Sequence, residues 1–210
     1  MRNQAAHNGH GFNLLVIIQQ LEAHILEHIH SLEDTVPLVE NTSHNILMWK
    51  TLKLGTIKLN VDAALSKDRV VIAVVAQNSQ GMLIKAWAKL TDTLEPTLAK
   101  AATINWALEL AKEEEFNHIC IESDAKVCVD ALNSHSDAPW VIHAQSSYSL
   151  ELALHFPFCS FNWVKQDANH MAQALAKEAL SLCLPFSCNV DSLPPSVLEV
   201  WNRDLFFLSS

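Results

Sequence analysis

The sequence contains no CxxC pair. Its five cysteines, Cys120, Cys128, Cys159, Cys183 and Cys188, are odd in number and scattered. That pattern argues against a disulfide framework or a zinc site and fits buried thiols in a reducing compartment. Long apolar runs are also missing. The stretch from Phe12 to Ile18 is too short to span a bilayer, and Gln19 and Gln20 follow it. It has no cleavage-site pattern of a signal peptide. The expectation is a soluble intracellular chain without membrane association. Positive charge is scarce: 14 Lys and Arg face 23 Asp and Glu, for a net charge of −9. Such a surface repels nucleic-acid phosphates unless its basic residues cluster locally. What is present in quantity is apolar, 50% of all residues, with 18% charged. That composition buries a core and excludes wholesale disorder.

Three regions follow from the patterning. Residues 1–48 read as a polar, disordered start, an amphipathic helix and a linker. The helix rests on Leu14, Ile17, Ile18, Leu21, Ile25, Ile29 and Leu32 at helical spacing, and Pro37 marks the linker. Residues 49–184 read as one α/β domain, and residues 185–210, with Pro185, Pro194 and Pro195, as a mostly irregular tail. Within the domain, Ile57, Leu59 and Val61 alternate with Lys58, Asn60 and Asp62, which predicts a half-buried strand. Val70 to Ala76 predicts a central strand, and Asn78 to Gly81 a turn into a third strand, Met82 to Lys89. Pro96 opens a long helix. A strand at Ile119 to Glu122, a helix at Ala125 to Leu132 capped by Asp124, and a helix at Val141 to Leu154 come next. A strand at Phe158 to Val164 and a helix at Asn169 to Leu182 close the domain. Consecutive strands pair antiparallel, and strands separated by helices pair parallel. The prediction is a mixed five-stranded sheet flanked by helices.

Three segments carry a family resemblance: KLNVDAA (Lys58 to Ala64), IESDAK (Ile121 to Lys126) and WVKQDANHMAQALAK (Trp163 to Lys177). In this order and at these distances they resemble the motifs of the plant RNase H-like family, a retroelement-derived group with a type 1 RNase H domain. Trp49, Gly55 and the tail PPSVLEVWNRDL are similar to the edges of those proteins. The resemblance spans roughly residues 49–205 and implies the RNase H-like fold. The activity it implies is hydrolysis of RNA in RNA–DNA hybrids, with four carboxylates holding two Mg²⁺ ions that clamp the scissile phosphate.

Carried over residue by residue, Asp62 matches the first acid and Asp124 the third. The second falls within Ala99-Lys100-Ala101, where the acid has become Lys100. The fourth should follow Ala172, where Gln173 stands. Two metal ligands are thus retained, Asp62 and Asp124, and two positions are degenerate. An ammonium at Lys100 pairs with Asp62 and Asp124 in place of a metal on this reading, and Mg²⁺ binding is weakened or lost. Glu122 and Asp167 lie nearby without occupying a ligand position. The resemblance also places Lys165, Asn169 and His170 near a substrate backbone. The glycine-rich stretch expected after the first Asp reads SKDRVV here, which crowds the backbone's approach to a ligand.

Each acid has a plainer reading. Alone, Asp62 is a strand-end residue, Asp124 a helix cap, and Lys100 a solvated helix residue. A competing motif, His24-Ile25-Leu26-Glu27-His28, matches an inverted zinc-protease pattern. It stands on a lone helix without a surrounding domain, and eleven histidines make chance matches common. Two functions stay open: a metal-dependent hybrid ribonuclease, or a non-catalytic nucleic-acid- or protein-binding module or retroelement remnant. The N-terminal helix offers a surface for a protein partner.

Overall fold

The computed structural model describes residues 54–134 and 138–208. The predicted N-terminal helix, the linker, Trp49 and the His24–His28 motif lie outside the described residues. Strands β1 (Ile57–Leu65), β2 (Val70–Gln77) and β3 (Leu83–Thr91) form an antiparallel meander. Helix α1 (Pro96–Glu113) crosses to β4 (His118–Ser123), which pairs parallel with β1. Helices α2 (Lys126–Asn133) and α3 (His143–Ala153) lead to β5 (Phe158–Trp163), parallel to β4. A 3-10 turn (Gln166–Ala168) precedes α4 (His170–Leu182).

The strand order is β5-β4-β1-β2-β3-β6. Among the described residues the sheet therefore has six strands, where the sequence predicts five. The sixth, β6 (Phe186–Cys188), is a three-residue edge strand against β3. It is too short to show alternation, and Pro185 beside it reads as a breaker, which edge strands tolerate. The segment predicted to be irregular continues into α5 (Pro195–Leu208). Pro195 stands in its first turn, where a missing N–H costs nothing. Val197 and Trp201 are buried against α4, and the Trp201 indole donates to the Gly81 carbonyl at 3.3 Å. Gly81 needs its freedom there: φ is +78°, in the turn where Asn78 accepts from the Gln80 and Met82 amides.

The β2 strand explains the layering. All eight of its residues are buried, because both of its faces are covered. Val74 and Ala76 meet α1 through Ile104, Ala107, Leu108 and Ala111. Val71, Ala73 and Val75 meet α4 through Met171, Ala172, Leu175 and Ala179. The alanines let both helices lie close to the sheet. Truncating fully buried Leu108 or Leu175 to Ala is expected to cost about 2–5 kcal/mol each.

Candidate functional site

Parallel pairing sets the site. Val61 of β1 is in register with Ser123 of β4, and Ser123 with Trp163 of β5. One residue further on, Asp62 and Asp124 stand side by side where these strands approach the helix ends. Asp62 is 6% exposed. Burial, reinforced by the Asp124 charge, pushes its carboxyl up to about 6, against the pull of Lys100. Asp124 was read as the cap of α2. The cap position is instead Ala125, with no side-chain cap bond, and the Asp124 carboxylate is turned elsewhere. Lys100 Nζ donates to its Oδ1 at 3.1 Å, with both side chains mostly buried.

Lys100 belongs to α1, which begins firmly: Glu95 accepts from the Thr97 amide at 3.1 Å and from the Leu98 amide, and Pro96 fills the first position. Ala99 and Ala101 on either side are buried, so the lysine is directed along a packed helix. From the opposite side of the sheet, α4 contributes Gln173. A cleft of about 240 Å³ opens between these elements. It is lined by Asp62, Lys100, Asp124 and Gln173, and also by Gln166 and Lys177. The structure thus brings together the four positions singled out in the sequence. Gln166 and Lys177 were missed. Lys177 was legible in principle, since it sits four residues after Gln173 on the same helix face.

The four positions hold two carboxylates, an ammonium and an amide. Asp62 and Asp124 supply carboxylate oxygens, but an ammonium is already bonded to Asp124, and Gln173 brings a neutral amide. Among the described residues, no cluster of three or more His, Cys, Asp or Glu converges as a metal site. The two nearby acids are engaged elsewhere. Glu122 lies 3.5 Å from the Lys58 ammonium and accepts from Asn60 at 3.1 Å. Asp167 is exposed and lies 3.8 Å from His170 Nε2.

Of the three residues placed near a substrate backbone, Asn169 is corrected. It is 1% exposed, and its amide donates to the Val61 carbonyl at 2.9 Å while its oxygen accepts from Asn60 at 3.2 Å. Its place in the motif reflects a polar clamp between α4 and β1. Lys165 is exposed at the end of β5, and His170 is half-buried.

Comparison with known proteins agrees with this architecture. The reverse transcriptase-like family model matches residues 60–179. An RNase H1 from the archaeon Halobacterium salinarum is similar, with TM-score 0.57 and 21% identity over 60% of this chain and 98% of that one. The N-terminal RNase H domain of a Mycobacterium tuberculosis protein gives TM-score 0.55 and 14% identity, over 60% and 94%. A compost-derived RNase H1, solved with an RNA/DNA hybrid, gives 0.55 and 13%, over 60% and 98%. At these identities the likeness shows the fold. No curated protein matches the sequence.

Proposed function

This chain belongs to the reverse transcriptase-like family and carries an RNase H-like domain, and from that premise we propose that it binds nucleic acid, RNA–DNA hybrids included, without hydrolysing it through divalent ions. The observation that carries this reading is the Lys100–Asp124 hydrogen bond at 3.1 Å in the cleft beside Asp62. In a hybrid ribonuclease, two Mg²⁺ ions supply a metal-activated water and stabilise the leaving oxygen. Here the retained acids are Asp62, on β1, and Asp124, which directly follows β4. The two degenerate positions, Lys100 and Gln173, are supplied by helices.

The charge balance supports the same reading. Two carboxylates side by side in a partly buried site repel each other, and Asp62 already holds its proton unusually well. Lys100 offsets that repulsion as a cation would, with a single charge and a fixed stem. The ammonium completes the site as a structural ion pair and activates no water. Lys165 and Lys177 remain at the cleft and its rim to meet phosphate.

The test is a labelled RNA–DNA hybrid incubated with the full chain, with and without Mg²⁺. The expected result is retention of the hybrid intact, with binding unaffected by chelator. Hybrid cleavage that requires Mg²⁺ and scales with wild-type concentration would overturn the reading.

A further inference from the structure

The cleft has a neighbour that the retained carboxylates do not account for. Trp163 ends β5, one strand beyond Asp124 and two beyond Asp62. At ordinary strand spacing its backbone lies about 10 Å from that of β1. The indole is 37% exposed although it sits on a strand that contributes Phe161 to the core. It is held at its edge, because Nε1 donates to the Asp124 carbonyl at 3.2 Å. It is also held at its face, where Lys126 Nζ lies 5.5 Å from the ring centroid. An aromatic plane fixed in these two ways pays little entropy on binding a flat partner.

The charges around it run against the character of the whole chain. Lys126 lies on the indole, Lys165 follows two residues later, and Lys100 and Lys177 line the adjoining cleft. Four lysines thus surround the ends of three strands in a chain of net charge −9. Asp62, Asp124 and Asp167 share this end of the sheet, so it is close to neutral where the remaining surface repels phosphate. A flat aromatic beside ammonium groups is the chemistry that recognises a nucleotide: stacking for the base, cations for the phosphodiester. A duplex hides its base faces, whereas a single strand presents them.

We propose that Trp163, Lys126, Lys165 and Lys177 form a binding site for single-stranded nucleic acid that works without divalent metal. A base stacks on the face of the Trp163 indole opposite Lys126, and the adjoining phosphodiesters meet Lys165 and Lys177. This rests on the nucleic-acid-binding reading above and adds to it the preferred strand state and the residues that hold it.

The experiment is fluorescence anisotropy in chelator with the full chain, using a labelled single strand of about twelve nucleotides and a blunt RNA–DNA hybrid of the same sequence. Wild type is expected to prefer the single strand, with affinity falling as salt rises. Trp163→Ala is expected to lose about tenfold, and Trp163→Phe to stay within about threefold because it keeps an aromatic face. Lys177→Glu, at an exposed position, is expected to weaken binding and flatten the salt dependence. Thermal melts of each variant establish that the fold is intact. Unchanged single-strand affinity in folded Trp163→Ala and Lys177→Glu overturns this inference and gives Trp163 a packing role only. Preference for the hybrid overturns it too while leaving the wider reading standing. Failure of wild type to bind either ligand removes both.

Discussion

Two lysine–carboxylate pairs, whose acids Glu122 and Asp124 stand two residues apart, behave as different devices. Lys58 and Glu122 lie on neighbouring parallel strands, 3.5 Å apart, with side chains 5% and 14% exposed. Asn60 and Asn169 complete the surroundings, so the pair is embedded in amide hydrogen bonds that tie β1, β4 and the start of α4 together. Lys100 and Asp124 are closer, at 3.1 Å, yet their pair opens on a cleft beside a second carboxylate. The difference lies in what completes each pair. The first is sealed by the sheet and serves the fold. The second lines the cleft, next to Asp62.

The sharpest way to break this comparison is to remove each cation in turn. Lys58→Met leaves Glu122 buried without its ammonium, and urea unfolding at pH 7 is expected to show a loss of about 3 kcal/mol. Burial already lowers the Lys58 pKa, against the opposing pull of Glu122, as a sealed pair requires. Asn169→Ala comes next. It strips the Val61 carbonyl of its buried donor and is expected to cost about 2 kcal/mol in the same measurement.

Asp62 supplies the pH-dependent contrast. Its folded pKa, about 6, lies above the ordinary value of 3.8. The native state therefore binds more protons than the unfolded state between these values. Stability falls as pH rises through that window, and the deficit is complete above about 6. Asp62→Asn removes the ionisation. The variant is expected to gain about 1–2 kcal/mol over wild type at pH 7 and nothing near pH 3.5. An equal gain at both values would point to packing in place of charge. The smallest effect is expected from Lys100→Met, about 1 kcal/mol at pH 7, since the Lys100 side chain, 20% exposed, keeps more contact with water than Lys58 at 5%. A loss as large as that of Lys58→Met would erase the distinction between the two pairs.

Much of this was legible in the sequence, for identifiable reasons. The alternation of Lys58 to Asp62 and the apolar run of β2 give strand positions, because side-chain direction has a fixed period. But β1 is not half-buried as predicted: its polar residues Lys58, Asn60 and Asp62 are buried as well, because helices cover both faces of the sheet. The ordered motifs led to Asp62, Lys100, Asp124 and Gln173, which the fold brings to one cleft. The misses have a common cause. The β6 strand and α5 are stabilised by partners far along the chain, Ala86 to Ala88 for one and Gly81 for the other, and local proline signals outweighed them. The resemblance places Asn169 near a substrate backbone, because polarity alone does not reveal a buried amide with two partners. Asp124 was read as a cap because a lysine 24 residues away in the chain is invisible to local pattern.

Whether Lys100 stands in the place of a metal, as proposed, is tested most directly by one measurement. Thermal melts in chelator and in millimolar Mg²⁺ compare wild type with the double variant Lys100→Glu and Gln173→Asp. The prediction is that wild type melts at the same temperature in both. The double variant, with four carboxylates and no ammonium at the cleft, is predicted to melt lower in chelator and to recover with Mg²⁺. A wild-type melt that rises with Mg²⁺ as strongly as the double variant's would contradict the account.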